Sequence, residues 1–454
     1  MTERNVQSDI PPTRAIFGLA WPMAVKAVML HGIVVIDAYL VAGFGETALA
    51  ALGVAGAIAG LVLGVLFAFS SATQIRVAQA HGSGDPSFLK SALVAGLIVN
   101  LGACCLGFVF LALTAGPLID SFAHDANVAA DARRYLAVFS AVILAEAIGQ
   151  CISSYFNGIG NTKLPLYSYA VALPVNIAAS LMFIYGYLGA PAMGVVGAAV
   201  GSVIATLLQV GILLVSLRAL AGDNLRVTGW RNGTFAATLL RHLQFSWPIA
   251  ATFISAALAN NVCRLLYARM PLTDFAAMTL ITPWIMVVGT IGMSWAQATG
   301  IYVAQLLGKH VDGPAMDQFL SRAWRGAFWA AALVALIYAL ICLISSKLYA
   351  DLHPDTTAAI LSFLPILLLL PFPKGSNAIC GNTLRAAGDT LYVMHIFVWS
   401  QWLFRVPATA VLVLYLDVPA IWVLSLLLLE ELIKLPAFHA RLFKGDWKTR
   451  DVAV

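Results

Sequence analysis

Long apolar runs separated by short polar punctuation dominate this chain. Read by that pattern alone, about twelve stretches are each long enough to cross a bilayer as a helix, which needs roughly 20 apolar residues. They fall near 15–41, 48–78, 90–115, 132–157, 164–186, 193–217, 241–268, 274–306, 323–346, 356–384, 391–415 and 418–440. The tenth is the least regular, because Pro365, Pro371 and Pro373 interrupt it, and a proline inside a helix removes a hydrogen bond and bends the axis. The runs are continuous and do not alternate, so the pattern predicts a helical bundle and excludes a transmembrane barrel.

Composition agrees. Of 454 residues, 61% are hydrophobic and only 10% charged, against roughly 25% charged in a soluble domain. Lipid is therefore the expected solvent. The polar opening stretch, Met1 to Arg14, contains Pro11 and Pro12 and no short apolar core with a small-residue cleavage site, so no removable signal is expected. The six cysteines all lie in apolar runs without metal-ligand or CxxC spacing and read as small hydrophobes; no metal and no cofactor are expected.

The surplus behind the net charge of +5 follows membrane topology. Loops after even-numbered spans carry Lys90, Lys163, Arg218, Arg226, Arg231, Lys309, Arg322 and Arg385, and the tail adds Arg441, Lys444, Lys448 and Arg450. The other loops hold Glu46, Asp120, Asp125, Asp351 and Asp417, with Arg133, Arg134 and Lys347 as exceptions. Since positive loops stay in the cytoplasm, both termini are expected there, in a multi-pass protein of the plasma membrane, or of the inner membrane in a bacterium. Nucleic acid is not an expected partner.

The chain repeats itself. Trp21-Pro22 recurs as Trp247-Pro248, and at the same offset Ala50-Ala51 meets Ala276-Ala277, Ala72-Thr73 meets Ala298-Thr299, Val77-Ala78-Gln79 meets Val303-Ala304-Gln305, and Gly82 meets Gly308. Gly160-Asn161-Thr162 matches Gly388-Asp389-Thr390 with a shift of two. Each copy holds six spans, an even number, so both enter the membrane from one side and are related by an axis along its normal. The expected organisation is a tail at 1–14, a first lobe at 15–220, a linker at 221–240, a second lobe at 241–440 and a tail at 441–454. Two lobes around a cavity suit alternating access, hence transport.

Inside the spans, ionisable residues are costly and mark function. Asp37 lies deep in the first span behind Ile33 to Ile36. An isolated carboxylate there must find partners or take up a proton, which is what a proton-coupled carrier requires. Lys374 in the tenth span is the repeat counterpart of Glu146 in the fourth, and the two are candidates for an ion pair across the cavity. Lys26 and Arg264 add positive charge in spans one and seven, and Tyr39 is a further cavity candidate. Glu430 and Glu431 are expected to pair locally with Lys434.

Several segments resemble the multidrug and toxic compound extrusion (MATE) family of secondary exporters. These are Gly43, Gly45 and Ala48 to Gly53; Val77 to Asp85; Gly158 to Pro165; Pro174-Val175-Asn176; Gly186 to Ala199; and Leu384 to Thr390. The resemblance implies twelve helices in two six-helix lobes and gradient-driven antiport of small organic compounds. It implies that Asn176 lies beside Asp37, with Ser202 completing a polar cluster. Ser180 stands where many relatives carry a second Asp, and the second lobe has Ala256 and Lys374 where some carry Glu and Asp. Those departures favour H+ over Na+ as the coupling ion. The expected partners are a small-molecule substrate and the bilayer, with the chain acting as a monomer. A lipid-linked precursor flippase or an exporter of anionic or zwitterionic metabolites are the alternatives. A membrane enzyme is disfavoured, since no HExxH, Ser-His-Asp or P-loop pattern is present.

Overall fold

A computed structural model describes residues 10–123, 125–221, 234–311, 313–349 and 353–449. The first nine residues, residues 222–233 of the expected linker, Asp351 and the end of the second tail, with Arg226, Arg231 and Arg450, therefore lie outside the described residues. Every regular element among the described residues is helical. In chain order they are α1 (Thr13–Ala42), α2 (Glu46–Ser83), α3 (Pro86–Phe122), α4 (Ala126–Gly158), α5 (Lys163–Tyr185), α6 (Val195–Ala221), α7 (Thr234–Tyr267), α8 (Leu272–Gly308) and α9 (Gly313–Leu348). Then come α10 (Pro354–Leu369), α11 (Pro371–Ala386), α12 (Thr390–Leu414) and α13 (Ala420–Lys444).

Ten of these helices are long and apolar enough to cross a membrane, and α10 with α11 makes an eleventh, bent by 43°. The bend falls where Pro371 and Pro373 cannot donate to the carbonyls of Leu367 and Leu369. The twelfth expected span, α13, is as long as its neighbours but carries Glu430, Glu431 and Lys434 along one face. The helices overrun the apolar runs that predict them: α2 has 38 residues, about 57 Å at 1.5 Å per residue, against a hydrocarbon thickness of about 30 Å. A helix satisfies its own backbone, so leaving the lipid gives it no reason to stop.

One element has no counterpart in the sequence pattern. Residues Ser400–Arg405 of α12 form a wide π turn, closed by Val406 N–H donating to the Gln401 carbonyl. Pro407 follows directly and cannot donate to the Leu403 carbonyl, so the helix widens there and turns Gln401 and Arg405 inward.

The described residues divide into two compact units. One takes those of Val25–His81 and Asp85–Ala250; the other takes those of Met1–Ala24, Gly82–Gly84 and Ala251–Ala453. The divisions inside α1 and α7 come two residues after Pro22 and Pro248, at equivalent positions of the repeat. The turns obey the repeat as well. Gly160 and Gly388 both adopt left-handed backbone (φ 88° and 84°). Asn161 N–H donates to Phe156 O at 2.8 Å, and Asp389 N–H to Leu384 O at 2.9 Å, one helix-ending motif written twice.

Within the first unit, small residues let helices approach. Ala48, Ala51, Ala55 and Ala59 form a buried stripe on α2. On α6, Gly197 and Gly201, one turn apart, sit against α5 so closely that an added Cβ would fall 2.4 Å from the Phe183 carbonyl carbon and 2.6 Å from the Ser180 amide nitrogen. Without a solvent-driven hydrophobic effect between helices in lipid, such approach is what dispersion attraction and interhelical hydrogen bonds need. Gly201→Ala is therefore expected to cost about 1–3 kcal/mol by overpacking, read as a lower unfolding midpoint of the purified protein. The turn after α8 gives a prediction of opposite sign. Gly84 (φ 71°) ends the corresponding turn after α2, but its repeat counterpart is His310 (φ 53°), a residue with a Cβ in left-handed backbone. His310→Gly is expected to raise stability by about 1 kcal/mol in the same measurement.

Candidate functional site

Asp37 lies on α1 in the first unit and is buried, 6% exposed. Two helices bring it hydroxyls. Ser180 Oγ on α5 donates to Asp37 Oδ1 at 3.4 Å, and Ser202 Oγ on α6 donates to Oδ2 at 3.5 Å. Asn176, one turn before Ser180, donates from Nδ2 to Ser202 Oγ at 3.2 Å. Its own Oδ1 is buried without a hydrogen-bond partner. The four residues expected to cluster thus form one connected polar group, and no cation stands within ion-pair distance of Asp37 among the described residues.

The local sequence explains how each arrives. Asn176 and Ser180 are four residues apart and share a face of α5; Ser202 follows Gly201, whose missing side chain lets α6 rest on Ser180. Pro174 lies within α5 just ahead. At the far end of the pair, Tyr185 Oη donates to the Leu40 carbonyl at 2.8 Å and fixes α5 against the end of α1. Gly43 makes room for that ring, since a Cβ there would lie 2.8 Å from Tyr185 Oη.

A second group in the same unit centres on Glu146 of α4, which is buried. Gln150 stands beside it, Lys26 of α1 is the cation acting on it, and one oxygen, Oε2, has no hydrogen-bond partner. Lys26 Nζ donates to Ser153 Oγ at 3.3 Å. Glu146, Gln150 and Ser153 stand four and three residues apart on one face of α4, a spacing visible in the sequence although only Glu146 was singled out from it. Tyr169 of α5 lies near enough to interact electrostatically with both Glu146 and Asp37, and Tyr135 of α4 does so with Asp37. Both tyrosines are buried and neither is signalled by the sequence, where a tyrosine in an apolar run reads as packing.

The second unit has its own charges. Lys434 on α13 pairs with Glu430 Oε1 at 3.2 Å and Glu431 Oε1 at 2.8 Å, the local pairing its spacing predicts. Arg405, turned inward by the π turn, pairs with Glu430 Oε2 at 3.0 Å and donates to Asn260 Oδ1 at 2.9 Å. Asn377 Nδ2 donates to Glu431 Oε2 at 2.9 Å. Lys374 on α11 takes its electrostatic influence first from Glu431. Each member of the expected Lys374–Glu146 pair therefore has an opposite charge within its own unit. Two cavity candidates stand apart from these clusters: Tyr39 is 80% exposed, and Arg264 is exposed with one donation, to Met286 Sδ at 3.7 Å. Among the described residues no group of three or more His, Cys, Asp or Glu is placed to hold a metal ion.

Comparisons with known proteins agree with this architecture. The MatE family matches residues 22–182 and 248–411, two segments that begin at the equivalent prolines Pro22 and Pro248. The "Uncharacterized transporter YisQ" of Bacillus subtilis is 24% identical over 405 residues, covering 86% of this chain and 85% of its own length. The "Multidrug resistance protein NorM" of Aliivibrio fischeri is 24% identical over 404 residues, covering 87% and 85%. Among solved structures, a mutant of the Vibrio cholerae MATE transporter VcmN superposes with a TM-score of 0.85 at 17% identity, covering 98% of this chain and 99% of that one. A Pyrococcus furiosus transporter of the MOP superfamily, described as having a binding pocket of reverse polarity, superposes with a TM-score of 0.79 at 18% identity, covering 99% and 100%. At these identities the superpositions establish the fold, and the family match establishes descent. The chain belongs to the MatE family of multidrug and toxic compound extrusion transporters, and is accordingly a multi-pass membrane protein and a secondary transporter of small molecules, not an enzyme.

Proposed function

We propose that this transporter exports small organic compounds in exchange for protons, with Asp37 as the group that takes up and releases the coupling proton. The observation that carries this reading is the character of Asp37's partners: a buried carboxylate held by two serine hydroxyls and by no cation among the described residues. A guanidinium or ammonium partner would lock the carboxylate in its charged form. A hydroxyl donates to a carboxylate and accepts from a carboxylic acid equally well, so Ser180 and Ser202 serve Asp37 before and after proton uptake. Asn176, linked through Ser202, extends the same reversible set. Ser180 also bears on the ion. It supplies no charge where a sodium site would gain most from a second carboxylate, which supports H+ in preference to Na+.

On this reading proton binding at the first lobe and cargo binding alternate as the lobes at 15–220 and 241–440 exchange access between the two faces of the membrane. The chain acts as a monomer, with both termini on the cytoplasmic side as the distribution of Lys and Arg directs. Lys26 and Glu146, held near Tyr169, form a second polar group beside the coupling site.

The experiment is substrate exchange in proteoliposomes under an imposed pH gradient. Asp37→Asn, which keeps the shape and the hydrogen-bonding capacity of the side chain, is expected to reduce proton-driven exchange to the level of protein-free liposomes while the protein still reconstitutes. Ser180→Ala and Ser202→Ala are expected to slow exchange less, since each leaves one hydroxyl on the carboxylate. Full exchange by Asp37→Asn would remove this residue from the mechanism, and a rate that follows a sodium gradient with no pH gradient would overturn the choice of ion.

A further inference from the structure

The first unit holds more buried polar side chains than Asp37 needs, and they are arranged in lines. On α1, Lys26 and Asp37 are eleven residues apart, three turns along one face and about 16 Å, with Lys26 nearer the N-terminal end. On α5, Tyr169, Asn176 and Ser180 follow at intervals of seven and four, again one face. On α4, Glu146, Gln150, Ser153 and Asn157 follow at intervals of four, three and four, and the helix ends at Gly158, beside the turn from which α5 starts. Contacts tie the lines together. Lys26 Nζ donates to Ser153 Oγ at 3.3 Å, and Asn157 Nδ2 donates to Oε1 of the buried Gln74 on α2 at 3.0 Å. Tyr169, itself buried, lies in the field of both Asp37 and Glu146.

A network that served packing alone would close on itself, and this one does not. Lys26 acts on Glu146 from beyond ion-pair distance, while its hydrogen bond goes to Ser153. Among the described residues of this unit, the buried side-chain atoms without a hydrogen-bond partner are Asn176 Oδ1, Glu146 Oε2, Asn157 Oδ1 and Thr162 Oγ1. All four fall on one course. Asn176 belongs to the Asp37 cluster, Glu146 stands at the level of Lys26, Asn157 is at the end of α4, and Thr162 is in the turn to α5. Unmet acceptors are rare in a folded interior, and each of these can take a hydrogen bond from water. Carboxyl groups inside a membrane, joined by hydroxyls and amides, are the material of a proton relay.

We propose that Glu146 is the relay group through which the proton released by Asp37 reaches the cytoplasm, with Tyr169 on the route between the two carboxyl groups and Gln150, Ser153 and Asn157 lining the way out. The inference rests on the reading of Asp37 as the coupling group and on the orientation adopted with it. With both termini cytoplasmic, the turn after α4 faces the cytoplasm and Glu146 stands between that turn and Asp37. The Asp37 acid gives its proton to water or to the Tyr169 oxygen, which passes its own proton on. Glu146 Oε2 takes it, so one O–H bond breaks at Asp37 and one forms at Glu146. The Glu146 acid then yields the proton to water at the end of α4. Water is the only co-reactant, and Lys26, kept close by Ser153, offsets the carboxylate that remains.

The test compares two modes of transport by the full chain in proteoliposomes. Labelled tetraphenylphosphonium, benzenesulfonate and phenylalanine serve as cargo probes of three charges, and each variant is measured on the probe that the unaltered chain carries. Glu146→Gln is expected to slow exchange driven by a pH gradient about tenfold or more, the least that proton transfer by a positioned side chain is worth. Exchange of labelled for unlabelled cargo without a pH gradient releases no proton, and is expected to keep its full rate. Glu146→Asp is expected to recover part of the driven rate. Tyr169→Phe removes one hydroxyl, is expected to split the two modes in the same sense, and decides the matter if Glu146→Gln does not fold. Driven exchange at full rate in both variants, or an equal fall of both modes, would overturn the relay. Full driven exchange in Asp37→Asn would instead overturn the coupling reading beneath it, so the two failures are told apart.

Discussion

In hydrocarbon there is no water to answer a polar group, so a buried donor, acceptor or charge in this chain is costly unless the protein itself meets it. That constraint makes each backbone segment helical, and it leaves side chains as the place where the protein differs from a bundle of apolar rods. The approach of α6 to α5 at Gly201 shows how much turns on it. The missing side chain lets α6 rest on Ser180, and from that approach Ser202 and Ser180 reach the same carboxylate.

The two copies of the repeat meet the constraint in different chemical ways. The first holds Asp37 with neutral groups that can act as donor or acceptor. The second uses fixed charges, with Arg405, Glu430, Lys434 and Glu431 bound in a chain of ion pairs. Neutral partners permit a change of protonation; a connected ion-pair chain resists it, because removing one charge leaves another uncompensated in low dielectric. The cluster around Asp37 can thus follow a change of charge at its carboxylate, whereas the ion-pair network holds its charges fixed. A shared ancestry of backbone, visible in the paired turns at Gly160 and Gly388, has not enforced a shared chemistry.

Much of this was legible in the residues. Twelve apolar runs, the Trp-Pro repeat and the interruption at Pro371 and Pro373 are local patterns, and the helices and the bend follow from them. Asp37 declared itself by standing alone in an apolar run, and Glu430, Glu431 and Lys434 by their spacing on one helix. Asn176, Ser180 and Ser202 were less plain, since polar residues in a membrane helix also serve packing; the resemblance to known exporters supplied the grouping. Contacts between distant helices were not legible. Nothing near Lys26 points to Ser153, and nothing near Tyr169 says that it lies in the field of two carboxylates, because helix rotation is set by packing across the whole interface. The π turn hid Arg405 for a related reason: an extra residue in one turn rotates everything after it, and a fixed period of 3.6 places that side chain on the wrong face.

The positions where the two compact units divide have a consequence for cutting the chain. Both divisions fall inside a helix, at matching points of the repeat, so each unit contains the opening turns of a helix whose remainder belongs to the other. A single break between α6 and α7 would therefore not part the units, because α1 and α7 would each still run unbroken from one into the other.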